Sequence, residues 1–287
     1  MFEDYEFALC LTHDVDRPYK TYQGPYYALK ERDPSQLTSL FGSENPYWQF
    51  EEIMQLEDEL GVRSSFYFLN EKRLLREKPV RAWLRPSNWV RYTGNYRIDD
   101  PDIVDVIQRL DEGGWEVGLH GSFDSYADRE RLEYEKAALE RVLGDTVLGG
   151  RQHFLNLERP ETWEYHRDIG LKYDASLGSS TEYGFQHGYD VLRPFDDEFV
   201  VFPLTVMEVA LVEGTASMDE ARAEIDSLLS EAAAESAVMS VLWHPRLFNE
   251  EEFPGFRELY RYLLTRAKEE DAWAGPCKDF IKRHEAD

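Results

Sequence analysis

The segment Phe7-Ala8-Leu9-Cys10-Leu11-Thr12-His13-Asp14-Val15-Asp16 indicates both the type of fold and the place of a functional site. Its first five residues are apolar and form a run of the length expected for one buried β-strand. An imidazole and two carboxylates follow where that strand would end. In α/β enzymes, strand ends hold such ionisable groups on rigid backbone that is open to solvent.

The composition is that of a strongly acidic globular protein. Of 287 residues, 57 are Asp or Glu and 32 are Lys or Arg, so the formal net charge is −25. In so acidic a chain an Asp-x-Asp pair also arises by chance, and the motif needs support from elsewhere. The charge repels nucleic acid and anionic membranes, which excludes them as partners. It suggests the cytosol of a halophile, where molar salt screens the repulsion.

The sequence predicts neither export nor a membrane span. No stretch approaches the roughly 18 apolar residues of a spanning helix. The first residues, Met1-Phe2-Glu3-Asp4, lack the basic and apolar regions of a signal peptide. The cysteines, Cys10 and Cys277, are far apart in sequence and are expected to be unpaired. We therefore expect a cytoplasmic protein in a reducing compartment.

Strand-like and helix-like segments alternate along the chain. The predicted strands cover 7–11, 62–69, 115–119, 146–149, 171–173, 198–203, 206–211 and 237–243. The predicted helices cover 48–60, 100–112, 127–143, 160–169, 218–234 and 252–268. This alternation predicts an α/β fold with a parallel sheet, closed into a barrel of seven or eight strands. Residues 1–287 show no linker or repeat and are expected to form a single domain.

Two irregular insertions, at about 17–46 and 70–99, interrupt the alternation. Loops of this length are usually lids or binding loops. Tyrosines of the first insertion would either wall a sugar site or pack on the domain; they are Tyr19, Tyr22, Tyr26 and Tyr27. Arginines of the second would either bind a phosphate or pair with neighbouring acids. They are Arg73, Arg76, Arg81, Arg85, Arg91 and Arg97.

Ionisable residues recur at the ends of the predicted strands. Besides the first motif, they are His120, Arg151, His153, Asp174 and His244. The carboxyl ends of barrel strands converge on one mouth, so these side chains are expected to meet. If these residues merely lay in solvated loops, five strand ends would not each be expected to supply an ionisable group.

Five ordered segments resemble the motifs of the polysaccharide deacetylases of carbohydrate esterase family four. They are Leu11 to Asp16, Gly118-Leu119-His120-Gly121-Ser122-Phe123-Asp124, Gly150-Arg151-Gln152-His153-Phe154, Tyr173-Asp174-Ala175-Ser176 and Leu242-Trp243-His244. The resemblance spans about residues 7 to 245 and is that of a divergent member of haloarchaeal type. It implies a distorted (β/α) barrel with about seven parallel strands. It also implies a divalent metal, usually zinc, and hydrolysis of the N-acetyl group of an amino sugar.

The resemblance also implies a role for each matching residue. Asp14 matches the general base, and Arg151 matches the arginine that orients this base. Asp16 and His120 match metal ligands. His244 matches the acid that protonates the leaving amine.

The chain departs from the family at one metal-binding position. The family has a second metal histidine four residues after the first, where this chain has Asp124. Aspartate is a competent ligand, so Asp16, His120 and Asp124 would form a set with positions open for water. If Asp124 instead forms hydrogen bonds within its loop, His153 is the other candidate for the third ligand.

Other residues of these motifs and loops are further candidates for the site. By the resemblance, the backbone N–H of Phe154 would help hold the oxyanion, and Leu242 would line the pocket for the acetyl methyl group. Asp174 would orient His244 or Arg151, or cap a turn. Two more candidates are His13, within the first motif, and His187, in a Gly-flanked loop; His166 and His284 are expected to be structural or solvated.

The predicted function is hydrolysis of an N-acetyl group of an amino sugar or glycan precursor, with a divalent metal as cofactor. The lack of an export signal favours a nucleotide-linked or lipid-linked sugar as the substrate. One alternative is hydrolysis of another non-peptide carbon–nitrogen bond, as in allantoinase-like relatives, with or without a metal. Another is a barrel that binds glycan and catalyses nothing.

The net charge predicts that salt stabilises the folded protein. The thermal unfolding midpoint should rise steeply as salt increases from tenths of molar to about 1 M, where the Debye length falls to about 3 Å. Differential scanning calorimetry over this range checks the expectation. A midpoint that stays flat or falls would show that the surface charges are already paired, which would exclude adaptation to molar salt.

Overall fold

Nine strands form one curled sheet in the part of the chain that the structure describes. The computed structural model describes residues 4–20, 45–72, 77–85, 88 and 96–285. The strands are β1 (Phe7–Val15), β2 (Ser65–Leu69), β3 (Glu116–Gly121), β4 (Gly149–Gln152), β5 (Tyr173–Asp174), β6 (Val200–Val201), β7 (Leu204–Met207), β8 (Val238–Leu242) and β9 (Ala272–Gly275). Their order across the sheet is β6-β5-β4-β3-β2-β1-β8-β7, and β9 pairs with the first half of β1.

Helices flank this sheet. They are α1 (Phe50–Leu60), α2 (Val80–Trp83), α3 (Pro101–Glu112), α4 (Arg129–Leu143), α5 (Glu161–Asp168), α6 (Glu208–Glu213), α7 (Met218–Glu235), α8 (Phe256–Glu269) and α9 (Cys277–Glu285). Every ladder between these strands is parallel. Among the described residues the sheet is a half-barrel, open between its edge strands β6 and β7. The predicted α/β fold and distorted barrel are therefore confirmed.

Local sequence explains why these elements form where they do. In α3, Pro101 occupies the first helical position, where its fixed φ and missing N–H cost nothing. The buried residues of α3 recur at helical spacing and are Ile103, Val106, Ile107 and Leu110. Helix α1 ends at Gly61, whose φ of 65° is one that only glycine adopts freely. No described helix is both long and apolar enough to cross a membrane.

The structure corrects three predictions of local structure. The pattern predicts a strand over 206–211, whereas β7 ends at Met207 and α6 begins at Glu208. Apolar runs this short do not distinguish a strand from a buried helix by periodicity. The strand predicted over 146–149 lies three residues later, so Arg151 is inside β4. Strand β9 and helix α9 were not predicted.

Parts of both predicted insertions lie outside the described residues. These parts are 21–44, 73–76, 86–87 and 89–95. They contain Tyr22, Tyr26, Tyr27, Arg73, Arg76 and Arg91. In the described parts, the ring of Tyr19 packs against that of Trp48 with centroids 5.5 Å apart. Arg97 pairs with Asp99, and Arg81 and Arg85 are exposed.

A buried carboxylate, that of Glu57 on α1, joins β1 to the helices outside the barrel. Its Oε1 lies 3.0 Å from His13 Nε2 and accepts a hydrogen bond of 2.7 Å from Tyr260. Its Oε2 accepts hydrogen bonds from Ser64 and from the Trp115 indole, at 2.9 and 2.6 Å. A buried carboxylate is tolerated only when its oxygens are paired in this way. The Glu57 network therefore fixes α1 and α8 against the central strand.

Replacing this carboxylate by an amide should destabilise the fold. Glu57→Gln removes the charge and turns an NH2 group toward neighbouring donors, so the free energy of unfolding should fall by roughly 2–4 kcal/mol. Urea unfolding followed by tryptophan fluorescence measures this change. Glu59→Gln, on the same helix but exposed, is the matched control and should leave the midpoint unchanged. Equal midpoints for the two variants would contradict the role of the Glu57 network.

Candidate active site

The pleat of β1 separates the first motif into two faces. Successive side chains of a strand point to opposite sides, so Thr12 and Asp14 share one face and His13 takes the other. Arg151 contacts both residues of the first face, since its Nη1 lies 2.9 Å from Thr12 Oγ1 and 2.8 Å from Asp14 Oδ1. His13 instead hydrogen-bonds the Trp243 carbonyl and joins the Glu57 network. The structure thus places His13 in the core.

Asp16, His120 and His153 form the group of described residues that could hold a metal ion. One ligand atom from each lies within 4.8 Å of the others. Asp16 Oδ1 is 2.9 Å from His120 Nε2 and 3.4 Å from His153 Nε2. A carboxylate and two imidazoles are a donor set that suits zinc and leaves coordination positions open for water and substrate.

The two histidine rings differ in what lies behind them. His120 Nδ1 donates to the Arg151 carbonyl at 2.9 Å, so Nε2 is the nitrogen that can offer its lone pair to a metal. His153 Nδ1 lies 3.9 Å from Glu71 Oε2 and has no hydrogen-bond partner among the described residues. Glu71 is itself fixed, because Oε2 accepts the backbone N–H of Phe123 at 2.7 Å.

The charges around Asp16 keep it ionised. Burial raises the pKa of Asp16, but His153, His120 and His244 together lower it well below its usual range. Burial likewise lowers the pKa of His120, and the carboxylates of Asp14 and Asp16 raise it above its usual value. A divalent cation binds carboxylates and neutral imidazoles, so its binding here would displace protons from the histidines.

Asp14 lies beside this group and outside it. Its Oδ2 is 3.8 Å from His120 Nε2, while Oδ1 pairs with Arg151. Arg151 is itself held, since its Nε donates to the Ala175 carbonyl at 2.7 Å. A carboxylate held this way is oriented toward the metal-ligand group with one oxygen free of the arginine, which is what a general base requires.

His244 faces the same carboxylate from the opposite side. Its Nε2 is 3.4 Å from Asp16 Oδ2, and its Nδ1 is 2.5 Å from Glu208 Oε1. Burial lowers the pKa of His244, but Glu208 and Asp16 raise it to about 10. Sequence analysis missed Glu208, because it lies at the junction of β7 and α6 within a segment predicted as strand.

Asp124 and Asp174 both lie outside the group formed by Asp16, His120 and His153. Asp124 is not in the group with Asp16 and His120; its carboxylate is half-exposed and lies 2.6 Å from Lys78 Nζ. Asp174 accepts hydrogen bonds from the Ser176 backbone and the Trp163 indole, both 3.0 Å long. It therefore caps the turn after β5, which was the alternative expected for it.

Three candidates remain: Phe154, Leu242 and His187. Phe154 is exposed, and its ring lies 4.4 Å from that of His153. Its φ of 60° is a left-handed conformation that side chains other than glycine rarely adopt, and such strain is concentrated at functional sites. Leu242 is buried beside Leu204. His187 is exposed, and among the described residues it has no hydrogen bond, ion pair or ring contact with the site residues named above.

A small pocket that is open to solvent lies between the ends of β1 and β8. Its lining includes Asp14, Asp16, His244 and a residue that the sequence analysis missed, Arg246. Three of the side chains expected at the mouth, those of Asp14, Asp16 and His244, therefore line one pocket that is open to solvent.

The chain was compared with known proteins by sequence and by structure. No model of a protein family matches it, and no curated protein matches it either. The structure is similar to that of a protein from Pseudomonas aeruginosa PAO1 named as a polysaccharide deacetylase. The two share 13% identity, the match covers 98% of this chain and 92% of that one, and the TM-score is 0.63.

Two further structures match over similar lengths. Puue allantoinase shares 15% identity, with 99% of this chain and 91% of that one covered and a TM-score of 0.62. A protein of Mycobacterium smegmatis named as a polysaccharide deacetylase shares 18% identity, with the same coverage and a TM-score of 0.60. At these identities the comparisons establish a common fold, which both kinds of carbon–nitrogen hydrolase use.

Proposed function

We propose that this protein is a metal-dependent hydrolase that removes an N-acetyl group from an amino sugar or glycan precursor. The observation that carries the proposal is the placement of four side chains around one carboxylate, that of Asp16. His120 and His153 face its Oδ1, His244 faces its Oδ2, and Asp14 Oδ2 lies 3.8 Å from the His120 nitrogen that faces Asp16. This arrangement puts a candidate base and a candidate acid on either side of a candidate metal site.

We assign the metal ligands as Asp16, His120 and His153. The third ligand is therefore His153, the alternative from the sequence, since the Asp124 carboxylate lies against Lys78. A divalent ion held by these residues supplies a Lewis acid and lowers the pKa of water. Zinc is the ion that this donor set favours.

Two residues of the chain move protons in the proposed reaction. Asp14, held by Arg151, accepts the proton of the attacking water. His244, held by Glu208, gives a proton to the nitrogen that leaves. The backbone N–H of Phe154 is proposed to stabilise the oxyanion, and Leu242 to line the pocket for the acetyl methyl group. Asp174 acts indirectly, by fixing the turn from which the Ala175 carbonyl holds Arg151.

The fold alone also fits hydrolysis of another carbon–nitrogen bond, because an allantoinase shares it. The metal-ligand group favours the metal-dependent reaction over a metal-free one. A barrel that only binds glycan would not need a base and an acid on either side of that group. We also propose that the protein is a single domain and that it works in the cytoplasm of a halophile.

Metal binding should depend on His153 and not on Asp124. We expect His120→Ala and His153→Ala each to lose stoichiometric zinc, because each removes one of three ligands. Asp124→Asn should keep about one zinc per chain. Zinc is measured by plasma mass spectrometry after dialysis, and circular dichroism monitors the fold.

His187→Ala is the control for loss of an exposed imidazole. Zinc retained by His153→Ala together with zinc lost by Asp124→Asn would show that the ligand set is wrong. Zinc absent from the wild-type protein after reconstitution would remove the metal-dependent reaction itself.

Substitution of the proposed base or of the proposed acid should lower the rate without removing the metal. Asp14→Asn should keep its zinc and lose roughly 10²- to 10⁴-fold in kcat, the usual scale for a positioned general base. His244→Ala should lose a similar factor on an N-acetylated amino sugar and much less on an activated acetate ester, which needs no protonation of its leaving group. Rates on both substrates are measured beside zinc content. Asp14→Asn with an unchanged rate, or without zinc, would contradict the assignment of the two aspartates.

A further inference from the structure

Arg246 is a cation placed beside the proposed reaction centre without a role in the chemistry described above. It follows His244 by two residues, on the single turn Pro245–Phe248 after β8. Pro245 restricts the backbone at the first position of this turn. The guanidinium lines the pocket, and its side chain is 27% exposed, so it lies between the buried site and solvent.

The contact between Arg246 and Asp16 is weak. Nη1 lies 3.5 Å from Asp16 Oδ2, which is long for a hydrogen bond between charged groups. Among the described residues, this is the one ion pair of Arg246. A guanidinium has five donors arranged to bind a carboxylate or phosphate through two parallel hydrogen bonds. Most of this capacity is therefore available to a molecule in the pocket.

The two oxygens of Asp16 divide the site into two sides. Oδ1 faces the metal-ligand histidines, whereas Oδ2 faces both His244 and Arg246. His244 is the residue that meets the leaving nitrogen in the proposed reaction. Arg246 therefore lies on the side of the amine, where the sugar ring must be, and away from the histidines at Oδ1.

The Arg246 guanidinium would weaken the binding of a divalent metal ion at Asp16. Like charges repel, and the effect is strong between partly buried groups. A neutral sugar would not compensate for this repulsion, but an anionic one would. A protein with a net charge of −25 also repels an anionic substrate unless a local cation attracts it.

We propose that Arg246 selects a substrate whose sugar ring carries an oxyanion, a carboxylate or a phosphate. This proposal rests on the proposed hydrolase function, which it narrows to an anionic substrate class. Arg246 binds the anion and does not take part in the proton transfers. It is a specificity residue.

The first test compares three substrates on zinc-loaded protein: N-acetylglucosamine, its 1-phosphate and the corresponding N-acetylated uronate. Wild-type kcat/KM should be at least about tenfold higher for one of the anionic sugars, and the better of the two identifies phosphate or carboxylate as the anion. Arg246→Gln should lose on the order of 10- to 100-fold on that substrate through KM, the scale of charge-assisted hydrogen bonds. Its rate on the neutral sugar should stay within about twofold. Arg261→Gln, which removes a partly exposed arginine of α8 that pairs with Glu59, is the control.

The second test does not need catalysis. Calorimetric titration of zinc-loaded protein with glucuronate, glucose 1-phosphate and glucose should show tighter binding of an anionic sugar, and Arg246→Gln should abolish that preference. The variant should also bind zinc more tightly than the wild type, because a nearby positive charge has been removed. A residue that merely positions Asp16 would show the opposite change in zinc affinity.

The outcomes distinguish a failure of the proposed hydrolase function from a failure of the proposed role of Arg246. Hydrolysis of no N-acetylated sugar, with anion-selective binding that depends on Arg246, would overturn the proposed reaction and support the role of Arg246. Equal losses on neutral and anionic substrates, weaker zinc binding by Arg246→Gln, or no anion preference in the wild type would each overturn the role of Arg246.

Discussion

The alternation of side chains along β1 is the constraint on which both polar networks of this protein depend. One face of the strand carries His13 into the buried Glu57 network, and the other carries Thr12 and Asp14 into the site. A shift of one residue in the pairing of β1 would exchange these faces and place the Asp14 carboxylate among the helices. Parallel pairing on both sides, with β2 and β8, holds the register in place.

The site itself is arranged around a single carboxylate. Asp16 lies just beyond the end of β1 and is reached by side chains from the ends of β3, β4 and β8: His120, His153 and His244. His120 is held from behind by a backbone carbonyl and His244 by Glu208, whereas His153 Nδ1 lies 3.9 Å from Glu71 and has no hydrogen-bond partner among the described residues. Such supporting contacts keep reactive groups in place without help from a substrate. They also account for the concentration of buried charge at one end of the sheet.

The fold is shared with proteins named as polysaccharide deacetylases and with an allantoinase, so it does not identify the reaction. Function has to be argued from the residues at the strand ends. Here those residues combine a metal-ligand group, a carboxylate held by an arginine and a histidine held by a glutamate. The arginine at the pocket, Arg246, adds a preference among substrates that no general property of the barrel would supply.

The sequence by itself determined the α/β class, most of the strand ends and the residues that meet there, because hydrophobic periodicity and turn residues are local properties. It left the third metal ligand open between Asp124 and His153, since that choice depends on distances between β3, β4 and the end of β1. It missed Glu208 because a short apolar run does not show whether a strand continues or a helix begins. Only tertiary structure places His153, and not Asp124, beside Asp16 and His120, and Glu208 behind His244, because contacts between residues far apart in sequence leave no local pattern in the chain.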